Sequence, residues 1–201
     1  FGTQFSGAGS NVMIVNMQDT DNYGKLEKVI QIEDTAASDI DNSVPASLTV
    51  ITPDKAKGAN FAGSLVYAGD LEGKITKINL TSSTENTAEL FDQTTLFRLN
   101  ANTTNRRYSY FSMDAGVGLS TRKFWLFGGT GNFNNIGGGS KYMDNILYGV
   151  KDPDYPLFKH LNSVHVPAES STDFVAKAHE GANNAYSVED GAVCVDMSNE
   201  L

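Results

Sequence analysis

A chain of 201 residues, 40% of them apolar, is long enough for one sizeable domain with a real core. Nineteen glycines, eleven phenylalanines and eight tyrosines beside only 19% charged residues favour an all-β fold with many turns over a helical one. A net charge of −9 argues against nucleic acid as a partner, because phosphate binding needs a basic surface, and no run of about 18 apolar residues predicts a membrane span.

In chain order, residues 11–17 and 26–32 read as the two strands of a hairpin, with Val12, Ile14, Leu26, Val29, Ile30 and Ile32 as its apolar content and 19–24 as its turn. Residues 35–44 form a polar, acidic loop, 46–51 a strand and 52–60 a turn-rich loop. The clearest hairpin spans 65–80: Leu65, Val66 and Tyr67 favour a strand, Gly69 to Gly73 reverse the chain, and Ile75, Ile78 and Leu80 belong to the second arm.

Residues 88–99 supply an outer strand, 100–107 an exposed connection, and 108–117 with 123–127 the next strand pair, anchored by Trp125. A Gly/Asn loop over 128–139 leads to a strand at 146–150, closed by a turn at Asp152-Pro153-Asp154. Only residues 171–179 look helical, with Asp173 near the start and Gly181 just past the end. Phe1-Gly2, Tyr67-Ala68-Gly69 and Phe127-Gly128-Gly129 recur about every 60 residues, the size of a propeller blade built as a small antiparallel sheet. The expected blade core is Val12, Ile14, Val66, Tyr67, Ile75, Ile78, Trp125 and Phe127. The chain begins and ends beside strand-like runs, so it reads as a segment of a larger protein whose open sheet edges need covering.

The best metal candidate is the first turn. Asp19, Asp21 and Glu27 place carboxylates at positions one, three and nine of a short loop with Gly24 sixth, the way short loops wrap calcium. The alternative is a hairpin turn whose Asp and Asn merely favour the bend. Asp39-Ile40-Asp41-Asn42 reads as a solvated acidic loop. Gly128 to Asn132 lacks the following helix and lysine of a phosphate loop. His160, His165 and His179 are too scattered to propose zinc, and no nucleophile elbow appears. Cys194, the single cysteine, cannot form a disulfide within the chain and reads as a buried thiol, with a partner outside this piece as the alternative. Arg106-Arg107-Tyr108 with Tyr110 and Phe111 is either a partner-binding patch or the rim and core of a blade.

Gly2 to Gly7, Val12 to Asn16, Gly24-Lys25-Leu26, Asn42 to Pro45, the run Val66-Tyr67-Ala68-Gly69-Asp70-Leu71-Glu72-Gly73-Lys74-Ile75-Thr76-Lys77-Ile78-Asn79-Leu80, the run Trp125-Leu126-Phe127-Gly128-Gly129-Thr130-Gly131-Asn132-Phe133 and the stretch Asp144 to Asp152 occur in an order and spacing that resembles the C-terminal propeller of the PilC/PilY family of type IV pilus biogenesis factors and tip-associated adhesins. The likeness covers residues 1–155, and 156–201 is an unassigned continuation. It implies a modified β-propeller of antiparallel blades with one short helix. It also implies a non-enzymatic bacterial protein at the pilus tip or outer-membrane surface, with minor pilins and a host-cell or surface receptor as partners. No organic cofactor is expected. The family's calcium loop falls at residues 54–64, where Asp54, Lys57 and Asn60 leave most of the carboxylates missing and the Lys57 ammonium can replace the cation. A quinoprotein-like propeller dehydrogenase and a sugar-binding propeller are the alternative readings.

Overall fold

Among the described residues, ten strands follow one another, and each pairs with strands of its own small sheet. The computed structural model describes residues 10–18, 20–32, 40, 42–52, 64–80, 90–99, 101–104, 106–118, 123–133, 145–152 and 155, with the backbone of 192–196. They form β1 (Asn11–Val15), β2 (Leu26–Gln31), β3 (Thr49–Ile51), β4 (Leu65–Gly69), β5 (Lys74–Asn79), β6 (Gln93–Arg98), β7 (Asp114–Val117), β8 (Phe124–Gly129), β9 (Ile146–Asp152) and β10 (Ala192–Asp196). All pairings are antiparallel: a β1-β2 hairpin, a four-stranded β3-β4-β5-β6 sheet and a four-stranded β7-β8-β9-β10 sheet, the last two ordered as in the sequence. The fold is therefore all-β. The helix expected over 171–179 lies outside the described residues.

The middle sheet is apolar on both faces, and each face is covered. Leu65, Tyr67, Ile75, Leu96 and Phe97 pack against Phe124, Leu126, Ile146, Tyr148 and Val150 of the third sheet. The alternate residues Val66, Ala68 and Ile78 pack against Val12, Ile30 and Ile32 from the first hairpin and the residue that follows it. Strand periodicity of two produces this division, and each fully buried large side chain contributes on the order of 1.5–3 kcal/mol. Ring contacts stitch the interface with the third sheet: Tyr67 stacks on Phe124 at 5.4 Å, and Phe97 meets Tyr148 at 5.9 Å.

Two charged residues sit inside that interface. Lys77 pairs with Tyr67 across the β4-β5 ladder, and the Lys77 Nζ and Tyr67 hydroxyl both donate to Asp152 Oδ2 on β9, each at 2.7 Å. Burial, and then the carboxylate beside it, raise the Tyr67 hydroxyl well above the ordinary phenol range, so it stays protonated and donating. Asp152 was expected in a turn; it is the last residue of β9 and is buried.

Three other expectations need correcting. Residues 108–113 run as an irregular connection, and β7 starts only at Asp114. Tyr108 N donates to Arg106 O rather than to a ladder partner, while Tyr108 O accepts from Gly131 N. The inward-facing residues of β8 are Phe124 and Leu126; Trp125 is half-buried and Phe127 is 49% exposed. Both phases of β8 are apolar, so alternation alone leaves the register open. Facing glycines settle it: Gly149 lies under the Phe127 and Trp125 rings, and Gly116 under Phe127. Finally, Ile14 is half-buried rather than central to the core.

Candidate functional site

Four connections meet at one end of the two larger sheets. The β4-β5 turn is a three-residue reversal, Leu71-Glu72-Gly73, closed by Gly73 N to Asp70 O at 3.0 Å and requiring the positive φ of 75° at Gly73. The β2-β3 connection reaches it through Leu71 N to Ser43 O at 2.9 Å. The β6-β7 connection lies against it through Leu99 N to Gly73 O at 2.8 Å and through Met113 and Ser109 beside Gly69. The β8-β9 loop joins through Gly131 N to Tyr108 O at 2.9 Å. Loops carried by a rigid sheet scaffold are where recognition chemistry concentrates.

These connections bury a charged cluster and expose an aromatic one. In the turn, Lys74 Nζ lies 3.1 Å from Glu72 Oε1 and 3.5 Å from Asp70 Oδ2, all three side chains nearly solvent-free. Lys74 N also donates to Asp70 Oδ1 at 2.9 Å. Burial pushes the Asp70 carboxyl up to about 8, against the opposing pull of the Lys74 ammonium, and the neighbouring Glu72 charge adds to the rise. Burial likewise holds the Tyr148 hydroxyl up at about 12, with Ser109 hydrogen-bonded to it and the Asp70 charge close by.

Above that cluster, alternation along the β6-β7 connection buries Arg107 and Ser109 and leaves Tyr108 and Tyr110 half-exposed. The rings continue as a chain: Tyr108 to Tyr110 at 6.2 Å, Tyr110 to Phe133 at 6.5 Å and Phe133 to Phe111 at 6.3 Å. Phe111 and Phe133 are each 58% exposed. The basic and aromatic stretch thus divides into a buried rim arginine, Arg107, and an outward aromatic run. Chemically the arrangement offers apolar ring faces and neutral hydrogen-bonding groups, with the Arg106 guanidinium half-exposed at one end.

Of the sequence-derived metal residues, Asp21 and Glu27 fall among the described ones. Asp21 and Glu27 are exposed, and Glu27 Oε1 accepts from Asn16 Nδ2 at 3.2 Å across the hairpin. Asp19, Asp54, Lys57 and Asn60 lie outside the described residues. Among the described residues no group of three His, Cys, Asp or Glu side chains comes together. Gly24 takes φ 80° and its N–H bonds Asn16 O at 2.7 Å, the behaviour of a hairpin turn. The Gly128 stretch ends β8 as backbone geometry, with Thr130 N bonded to Ile146 O at 2.9 Å.

Sequence reasoning missed the buried ions. Their signal was phase: Lys77 shares the face of Ile75, and Lys74 lies on the alternate face with Ile78, so each cation falls in line with a core isoleucine of the buried strand β5. No family model matches the chain, and no curated protein or solved structure matches it either.

Proposed function

We propose that this chain is a non-enzymatic recognition segment of a type IV pilus biogenesis and adhesion factor, built from consecutive blades of a modified β-propeller and acting at the pilus tip or cell surface. The observation that carries the binding half of this reading is the loop end: two sequence-ordered antiparallel sheets pack face to face and present an aromatic run from two of the connections that meet there. The pilus half rests on the resemblance of residues 1–155 to the PilC/PilY propeller. Stacked meanders also explain the apolar outer faces of the first and third sheets, which further blades would cover.

The test is fractionation of pili sheared from the source bacterium, followed by mass spectrometry of the full-length protein. The protein is expected in the sheared fraction beside minor pilins, and absent from it in a strain without pili. Recovery of the protein solely in the cell interior overturns the reading.

A further inference from the structure

We propose that Lys77 and Asp152 condense into an intramolecular isopeptide bond, an amide between Lys77 Nζ and Asp152 Cγ that joins the middle and third sheets covalently. Lys77 Nζ lies 2.7 Å from Asp152 Oδ2, and neither side chain exposes any surface. The Tyr67 hydroxyl donates to the same oxygen at 2.7 Å. Rings flank the pair: Tyr67 stacks on Phe124 at 5.4 Å and Phe124 on Tyr155 at 4.5 Å. Burial, and then the Asp152 charge, raise both tyrosine hydroxyls above the ordinary phenol range, so each stays protonated. A nucleophile, a carboxyl and a proton donor thus share one buried site.

The chemistry balances with these groups alone. The Lys77 ammonium passes one proton to Asp152 Oδ2 across their contact, leaving an amine and a carboxylic acid. The nitrogen lone pair attacks Cγ and forms the C–N bond. Oδ2 then takes a second proton from nitrogen through the Tyr67 hydroxyl, the Cγ–Oδ2 bond breaks, and one water leaves. The net change is ammonium plus carboxylate to amide plus water, with no oxidant and no further reactant.

Position favours the reaction. Packing of the two sheets replaces a bimolecular encounter with a unimolecular one, an advantage equivalent to roughly 10⁵–10⁸ M for well-oriented groups. The amide also removes two ions from an apolar interior, where holding them out of water is costly. Lys74, the other buried lysine among the described residues, has a different setting. Its Nζ lies 3.1 Å from Glu72 Oε1 and 3.5 Å from Asp70 Oδ2, both in its own turn, so an amide there would tie the turn only to itself. Lys77 and Asp152 meet only once the sheets pack, so condensation follows folding. A freshly folded chain holds the ion pair, which is the state whose stability variants of these residues report, and the amide accumulates with time.

The experiment is peptide mapping by mass spectrometry of the full-length protein, stored folded at neutral pH and then denatured and digested with trypsin. A branched peptide is expected that joins the stretches around Lys77 and Asp152 and weighs one water less than their sum. Lys77→Arg keeps a cation beside Asp152 but has no amine to acylate, and should give the linear peptides alone. Tyr67→Phe keeps the ring and loses the proton relay, and should slow branching at least about tenfold. Recovery of only linear peptides from the native protein overturns the proposal, whatever the variants do. So does a loss of water at Asp152 that persists in Lys77→Arg, because that dehydration would lie within the backbone. Branching at the native rate in Tyr67→Phe would overturn the part given to Tyr67. The map reads a covalent bond wherever the protein is located, so it stands or falls apart from the pilus reading.

Discussion

Lys77 Nζ and the Tyr67 hydroxyl, neighbours across one β-ladder, converge on a single oxygen of Asp152, which lies in a different sheet and 85 residues from Tyr67 along the chain. Neither Lys77 nor Asp152 exposes side-chain surface. The contact fixes how the two larger sheets sit on each other, because apolar packing alone tolerates small slides and a buried ammonium does not.

Removing one member should therefore cost more than removing all. Asp152→Ala leaves an ammonium and a phenol buried without their acceptor and is expected to destabilise by about 3–5 kcal/mol. The triple change Lys77→Met/Tyr67→Phe/Asp152→Leu replaces every polar atom with apolar volume and should recover most of that loss. Urea unfolding of the three proteins checks this; a triple variant as unstable as Asp152→Ala would mean the ions contribute more than each other's company.

The turn carboxyl makes stability pH-dependent. Asp70 titrates at about 8 in the folded chain against 3.8 for the ordinary group, with burial as the first cause. The folded state thus holds this proton more tightly than the unfolded one, so its ionisation penalty is absent below about pH 4. The penalty then grows through the window from 4 to 8 and is complete above it. Melting temperature should fall over that range in the native protein and fall less steeply in Asp70→Asn. Parallel slopes for the two proteins would remove Asp70 as the cause.

Much of this fold is legible in the sequence where one face of a strand is apolar and a turn has the residues its geometry needs. The β4-β5 hairpin satisfies both conditions: Val66, Tyr67, Ile75 and Ile78 are buried as expected, and Gly73 takes the positive φ. Strand β8 fails the first, since Phe124 and Leu126 compete with Trp125 and Phe127, and glycines on β7 and β9 decide the phase from across the sheet. Lys77 is illegible for a related reason: nothing local marks a lysine whose partner lies in another sheet. The aromatic run was visible as Tyr108, Tyr110 and Phe111, but Phe133 joins them only through the contact between two loops.

Two glycines at positive φ separate backbone strain from crowding. Gly24 has φ 80° with open space where a Cβ would stand, so Gly24→Ala should cost only the left-handed penalty, about 1–2 kcal/mol. Gly73 has φ 75°, and a Cβ there would lie 2.7 Å from the Leu99 Cβ in the packed connection. Gly73→Ala should pay the same penalty plus a displacement of Leu99, for a loss at least about 1 kcal/mol larger. Chemical denaturation of both variants measures the difference, and equal losses would show that the turn moves aside freely.

The outer faces of the stack should govern self-association. On the first hairpin, Met13 and Val29 face each other across the ladder and both point away from the middle sheet, with Met13 65% exposed. On the third sheet, Phe127 and Leu147 are about half exposed on the face opposite the core. Uncovered apolar sheet faces of this kind attract other apolar surfaces. Met13→Lys/Phe127→Lys places one charge on each face without touching the buried set. It is expected to raise the monomer fraction in size-exclusion chromatography while leaving the melting temperature close to that of the native chain. Val66→Lys, which puts the same charge between the first and middle sheets, should instead unfold the protein. If the double surface variant associates as strongly as the native chain, these faces are not what drives contact between copies.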